Sequence, residues 1–153
     1  MRMDYFAASP DALQPLVDIE RYLARAARRR DELGGGLLGL LYTRVSQING
    51  CAYCLDMHTK DARQAGESEQ RLYALSAWRE TPFFTPRERA ALAWAEAHTL
   101  IADRGIDQAL FDATRAHFSE PALVDLTLAI CAINAWNRMA IGFAAEVGSY
   151  RPD

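Results

Sequence analysis

Cys51, Cys54 and His58 stand in the segment "NGCAYCLDMH", residues 49 to 58. Two thiols three residues apart can form and break a disulfide, and an imidazole four residues further on can hold or accept a proton. At about 100° per residue, the three side chains fall within about 60° of one another on a helix, so one face carries both sulfurs and the ring. Gly50 is a natural stop for the preceding helix, which puts Cys51 in the first turn of the next. Unpaired N–H groups and the positive end of the helix dipole lie there, and both favour thiolate over thiol. The residues alone leave three readings open: a dithiol redox centre, a metal site, or two buried thiols. Zinc would need a fourth ligand or water, and the chain has only His98 and His117 besides His58 and no second cysteine pair.

The elements that must position this face are helical. The first is "SPDALQPLVDIERYLARAARR", with Ser9 as cap, Pro10 in the first turn, apolar residues at helical spacing and Pro15 expected to kink or delay it. "DELGGG" ends it, with Arg28, Arg29 and Arg30 facing its negative end. A second apolar run spans residues 37 to 48. The thiol helix should run from Cys51 to near Gly66. Ser68 caps another helix, and "TPRE", residues 85 to 88, is a capping box opening the helix through "RAALAWAEAHTLIA". "IDQALFDATRAHF" follows. Ser119 and Pro121 open a long last helix, apolar on nearly all sides and therefore central. About seven helices and no alternating strand pattern give an all-α fold, a single domain over residues 1–153, with the C-x-x-C at the N-terminus of a central helix.

Composition narrows the function classes. The chain has 153 residues, half of them hydrophobic, and a net charge of -3 from 17 basic and 20 acidic residues, which is no footprint for nucleic acid. No signal peptide and no run of about 18 uncharged apolar residues is present, so the reading is a cytoplasmic protein without a membrane span. In that reducing compartment a C-x-x-C pair points to redox or metal chemistry rather than to a structural staple.

The segment "RVSQINGCAYCLDMHTKDARQAGE", residues 44 to 67, resembles the signature of AhpD-like alkylhydroperoxidases of the carboxymuconolactone decarboxylase superfamily. "ERAALAWAEAHTL" and "INAWNRMAI" are similar to its single-domain branch, and the likeness covers roughly residues 35 to 145. The resemblance implies an all-helical AhpD-like fold assembled as a homo-oligomer, a trimer or a hexamer. It implies reduction of a hydroperoxide by a redox-active cysteine pair with no bound cofactor, regenerated by an external dithiol reductant, a lipoyl domain or a thioredoxin-like protein. It also implies that Cys54 attacks and Cys51 resolves, whereas the helix dipole alone favours Cys51 as attacker. The alternatives are a decarboxylase-like enzyme of the same superfamily and a thiol redox sensor without turnover.

Well-studied members of that family carry a proton-relay glutamate twelve residues before the first cysteine; here the position is Gly39. Glu96 is the replacement that the sequence offers. It is the one carboxylate in "AALAWAEAHTLIA", and burial there would raise its pKa toward neutrality and fit it to shuttle a proton. The bland reading is a structural carboxylate paired to an arginine such as Arg138. His98 reads as a core or interface histidine, His117 as a partner of a helix end, and Cys131 as a core thiol. Asn134, Asn137 and Arg138 interrupt the last helix and are expected to order the site or a subunit contact. Trp78, Phe83 and Phe84 read as packing before the turn at Thr85.

Overall fold

The computed structural model describes residues 1–34 and 36–152. Among them are nine α-helices, two short 3₁₀ segments and no strand. The helices are α1 (Tyr5–Ala8), α2 (Pro10–Arg29), α3 (Leu37–Asn49), α4 (Ala52–Gln64), α5 (Glu69–Ala74), α6 (Pro86–Thr99), α7 (Ile101–Arg104), α8 (Gln108–Arg115) and α9 (Glu120–Gly142). The 3₁₀ segments are Asp31–Leu33 and Leu75–Glu80.

The hub is α3, which packs against α4, α6 and α9. Its Leu37, Leu40, Leu41 and Val45 are buried, and so are Thr43 and Ser46. A helix covered on that many sides has to satisfy its polar side chains internally, and the Thr43 hydroxyl donates to the Gly39 carbonyl at 2.8 Å. On α9, Leu126, Ile130 and Ile133 face this core. Helix α2 lies along α9 through Leu23 and Ala26.

Local chemistry sets the boundaries. Thr85 and Glu88 form the reciprocal capping box that opens α6, and Ser119 caps α9. Pro15 does not delay α2, which begins at Pro10 and continues through it; an exposed proline in the second turn forfeits one hydrogen bond and leaves the later ones intact. The last helix ends at Gly142, two residues before Ala144 turns left-handed (φ 51°).

Helix α1, four residues capped by Asp4, is too short to show a period in the sequence. Cys131 is exposed, not a core thiol. It shares a face of α9 with Val124 and Leu128 at helical spacing, and that apolar stripe lines an open groove, with Val124 67% exposed. No single helix among the described residues is long and apolar enough to cross a membrane.

Candidate active site

Gly50 closes α3 in the left-handed region (φ 69°), where a side chain would be strained. The chain turns there, and the Cys51 N–H donates to the Ser46 carbonyl at 3.0 Å. Cys51 is therefore the N-cap of α4. Its sulfur takes the role usually filled by a serine or aspartate oxygen and accepts the Cys54 N–H at 3.3 Å. Cys51 and Cys54 are joined as a disulfide, with Cα atoms 5.3 Å apart, and both residues are buried. The sequence expectation that spacing and helix start would bring the two sulfurs together is met.

A polar network pins this turn to α9. The Asn49 amide donates to the side-chain oxygens of Asn134 at 3.0 Å and Asn137 at 2.8 Å. Asn137, fully buried, donates to the Ser46 hydroxyl at 3.0 Å. Arg138 donates to the Asn134 carbonyl and side-chain oxygen. The asparagines expected to order the site do so, by holding the last turn of α3 at the angle that delivers Cys51 to α4.

The two cysteines face different spaces. Cys54 lines an apolar cavity of about 280 Å³ walled by Tyr5, Phe6, Tyr53, Met57 and Trp136, with His58 and Glu20 as its ionisable neighbours beside the tyrosines. Cys51 lines a smaller one, about 190 Å³, between α4 and the end of α9. Helix α1 forms a wall of the larger space. The Arg2 N–H and guanidinium donate to the carbonyls of Phe143 and Gly142, Tyr5 stacks on Phe143, and Phe6 stacks on Trp136. His58 also borders a second, more polar cavity of about 520 Å³, lined by Tyr42, Gly39, Asp61 and the Glu67–Arg71 pair.

Part of the His58 ring reaches these cavities, but its Nε2 is covered and has no hydrogen-bond partner among the described residues. Its ring lies 5.1 Å from that of Tyr42. Burial pushes its pKa down to about 4, so in the disulfide form the ring is neutral at pH 7. A neutral ring brings no positive charge to the cavity it shares with Cys54; a thiolate formed there would oppose the burial and draw a proton back.

The depressed value has a consequence for stability. The unfolded chain binds the imidazole proton near pH 6.5 and the folded one only near pH 4, so stability is complete above pH 6.5 and falls as pH drops through that window. Between pH 7 and pH 4, the oxidised protein is expected to lose about 3 kcal/mol more than its His58→Phe variant, as read by urea unfolding at stepped pH. Parallel stability curves for the two proteins would contradict the buried neutral ring.

Glu96 is buried as expected, yet its chemistry runs the other way. It accepts Arg44 Nε at 2.8 Å, Trp78 Nε1 at 2.9 Å and Arg79 Nη1 at 2.5 Å. Burial alone would raise its pKa, but the bonds from Trp78, Arg79 and Arg44 together outweigh it and hold the carboxyl below its ordinary value. A carboxylate clamped by two guanidiniums is fixed as an anion and is a poor shuttle. Its partners are Arg44 and Arg79, not Arg138, and among the described residues neither cysteine nor His58 bonds to it. Glu96 ties α3 to α6 and to the 3₁₀ segment Leu75–Glu80.

The carboxyl that does border both larger cavities is Glu20, on α2. Its oxygens accept the Tyr42 hydroxyl and Trp136 Nε1, each at 3.2 Å. Burial raises its pKa, against the lowering effect of these two bonds. Sequence reasoning passed over it because "VDIERY" reads as a charged surface segment. The signal was its register: Glu20 falls on the stripe of Leu13, Val17, Leu23 and Ala27 that α2 turns inward.

The other expectations resolve as packing. His98 stacks on Trp94 with ring centres 4.3 Å apart, and its Nδ1 meets the Trp94 carbonyl at 2.9 Å. His117 follows the end of α8, where its N–H donates to the Thr114 carbonyl. Trp78 and Phe84 are buried in the core under Arg79, Arg89 and Arg71. No group of three His, Cys, Asp or Glu side chains among the described residues converges as a metal site.

Comparison with known proteins agrees with this fold. Residues 16–97 match the model of the carboxymuconolactone decarboxylase family. The chain is 40% identical over 148 residues to the uncharacterized protein YdfG of Bacillus subtilis (strain 168), covering 97% of both. It superposes with TM-score 0.90 and 42% identity on ATU0492 of Agrobacterium tumefaciens, a protein of unknown function assigned provisionally to antioxidant defence as an AhpD, over 97% of this chain and 99% of that one. The debrominase Bmp8 shares the fold, with TM-score 0.81 at 20% identity over 94% of this chain and 75% of that one.

Proposed function

The chain belongs to the carboxymuconolactone decarboxylase family, on its AhpD-like side, and from that premise we propose that it is a thiol-dependent peroxidase. The observation that carries the reading is the placement of Cys54, rather than Cys51, on the apolar cavity that also holds His58. The Cys54 thiolate attacks the terminal oxygen of a hydroperoxide. A sulfur–oxygen bond forms, the O–O bond breaks, and the leaving alkoxide takes a proton to depart as alcohol. The Cys51 thiol then attacks the Cys54 sulfenic acid, the disulfide forms, and water leaves. One peroxide is reduced and one dithiol is oxidised.

An external dithiol must then reopen the bond. Both sulfurs are buried, which favours a slender arm such as that of a lipoyl domain over the broad face of a thioredoxin-like protein. The partly uncovered apolar stripe of Val124, Leu128 and Cys131 on α9 supports self-association of the chain; the trimer or hexamer is what the family resemblance implies. The test is consumption of an organic hydroperoxide by the purified protein with a panel of dithiol donors. Sustained turnover with at least one donor is expected. A single stoichiometric oxidation with no turnover would instead identify a thiol sensor. A lactone decarboxylase-like reaction surviving replacement of both cysteines by serine would identify the other branch of the family.

A further inference from the structure

We infer that Glu20 is the proton store of this site: it receives the proton that Cys54 sheds and returns it, through His58, to the oxygen that leaves. The inference rests on the peroxidase reading for the fate of the proton, but not for its location.

Glu20 and His58 are the two residues common to the apolar cavity of Cys54 and the polar cavity beside it. They stand at the junction between the reacting sulfur and the polar side. The Glu20 head is fixed at both oxygens by neutral donors from two other helices, Tyr42 on α3 and Trp136 on α9. Among the described residues no cation pairs with it. That arrangement orients a carboxyl without locking it as an anion, unlike the two guanidiniums around Glu96.

The neighbouring carboxylates are otherwise engaged: Asp61 accepts the Tyr150 hydroxyl at 2.7 Å, and Glu67 pairs with Arg71. The remaining titratable groups facing Glu20 are phenols. Burial pushes Tyr42 and Tyr5 upward, and both stay protonated through the neutral range; Tyr53 lines the far side of the Cys54 cavity. The buried Nε2 of His58, without a hydrogen-bond partner among the described residues, is the position left free to take up and pass on a proton. The upward shift of the Glu20 carboxyl by burial agrees with this role.

The proton balance closes. Ionisation of Cys54 gives the sulfur its electron pair and Glu20 its proton. Attack forms S–O and breaks O–O, and the alkoxide recovers that proton from Glu20. The carboxylate is then ready for the next reduced dithiol.

The test follows iodoacetamide alkylation of Cys54 in the reduced protein from pH 4 to 10, by peptide mass, with free glutathione as the reference thiol, alongside peroxide turnover. Wild type is expected to show two ionisations at Cys54 and Glu20→Gln only one, with turnover lowered about 100-fold in the variant. A carboxylate restored across the polar cavity as Glu20→Gln/Gly39→Glu is expected to recover at least about tenfold of that loss. Gly39 lines that cavity, and a Cβ there meets only Ala62 Cβ, at 3.6 Å.

Tyr42→Phe, which keeps the carboxyl and removes one donor, should move the lower ionisation to higher pH; it also serves if Glu20→Gln fails to fold. A Glu20→Gln profile that superposes on wild type, or a lower ionisation unmoved by Tyr42→Phe, overturns the inference. Absence of peroxide turnover in wild type would overturn the peroxidase reading, while the alkylation profiles still decide the place of the proton.

Discussion

Cys54→Ser is expected to abolish sustained peroxide turnover, with a loss of at least about 1000-fold, because a serine hydroxyl at neutral pH is not ionised and cannot form the sulfenic acid. Cys51→Ser should behave differently. Its remaining Cys54 thiolate still consumes one equivalent of peroxide, rapidly, and then stops, since the resolving sulfur is gone. The contrast tests the assignment of the attacking residue, on which the helix dipole and the cavity geometry disagree. The dipole favours Cys51, which caps α4. The cavity favours Cys54, which shares its space with His58 and Glu20. Access and a proton acceptor decide the matter if the first burst of oxidation survives at Cys54 alone. A first-turnover rate retained in Cys54→Ser and lost in Cys51→Ser would reverse the roles.

The second large effect lies away from the sulfurs. Glu96→Gln is expected to destabilise the fold by about 3 kcal/mol, the cost of leaving a mostly buried guanidinium without its counter-charge. Arg44, 16% exposed at its side chain, carries most of that penalty; Arg79, 53% exposed, can turn to water. The measurement is a urea unfolding curve, with a lower midpoint and an unchanged slope. The pH profile of Cys54 alkylation should not move. A variant as stable as wild type but with a displaced profile would return Glu96 to the proton path.

Glu96 and Glu20 also mark what a sequence can and cannot disclose. A lone carboxylate in an apolar helix announces burial, and Glu96 is buried. Whether it meets cations is settled by Arg44, 52 positions away, and by Arg79 from a 3₁₀ segment. Neither contact leaves a periodic trace. Glu20 was hidden by the opposite circumstance, since its charged neighbours Asp18 and Arg21 belong to the solvent side of the same helix. The thiol helix was legible because its signals are local: glycine at a left-handed turn, and a spacing that a helix converts into one face; that Cys51 is the cap of this helix rather than a member of its first turn was not. The capping box at Thr85 and the cap at Ser119 were legible for the same reason. Exposure of Cys131 was not, because an apolar stripe in a sequence looks the same whether or not another element covers it.

The sulfur that caps α4 bears on how knock-outs of this pair are interpreted. Serine is among the best residues for starting a helix, while alanine is among the worst, a gap of about 1 kcal/mol. Silencing position 51 with serine thus also tightens the first turn beneath its partner, whereas alanine loosens it. Only agreement between the two replacements separates lost electron transfer from a shifted scaffold.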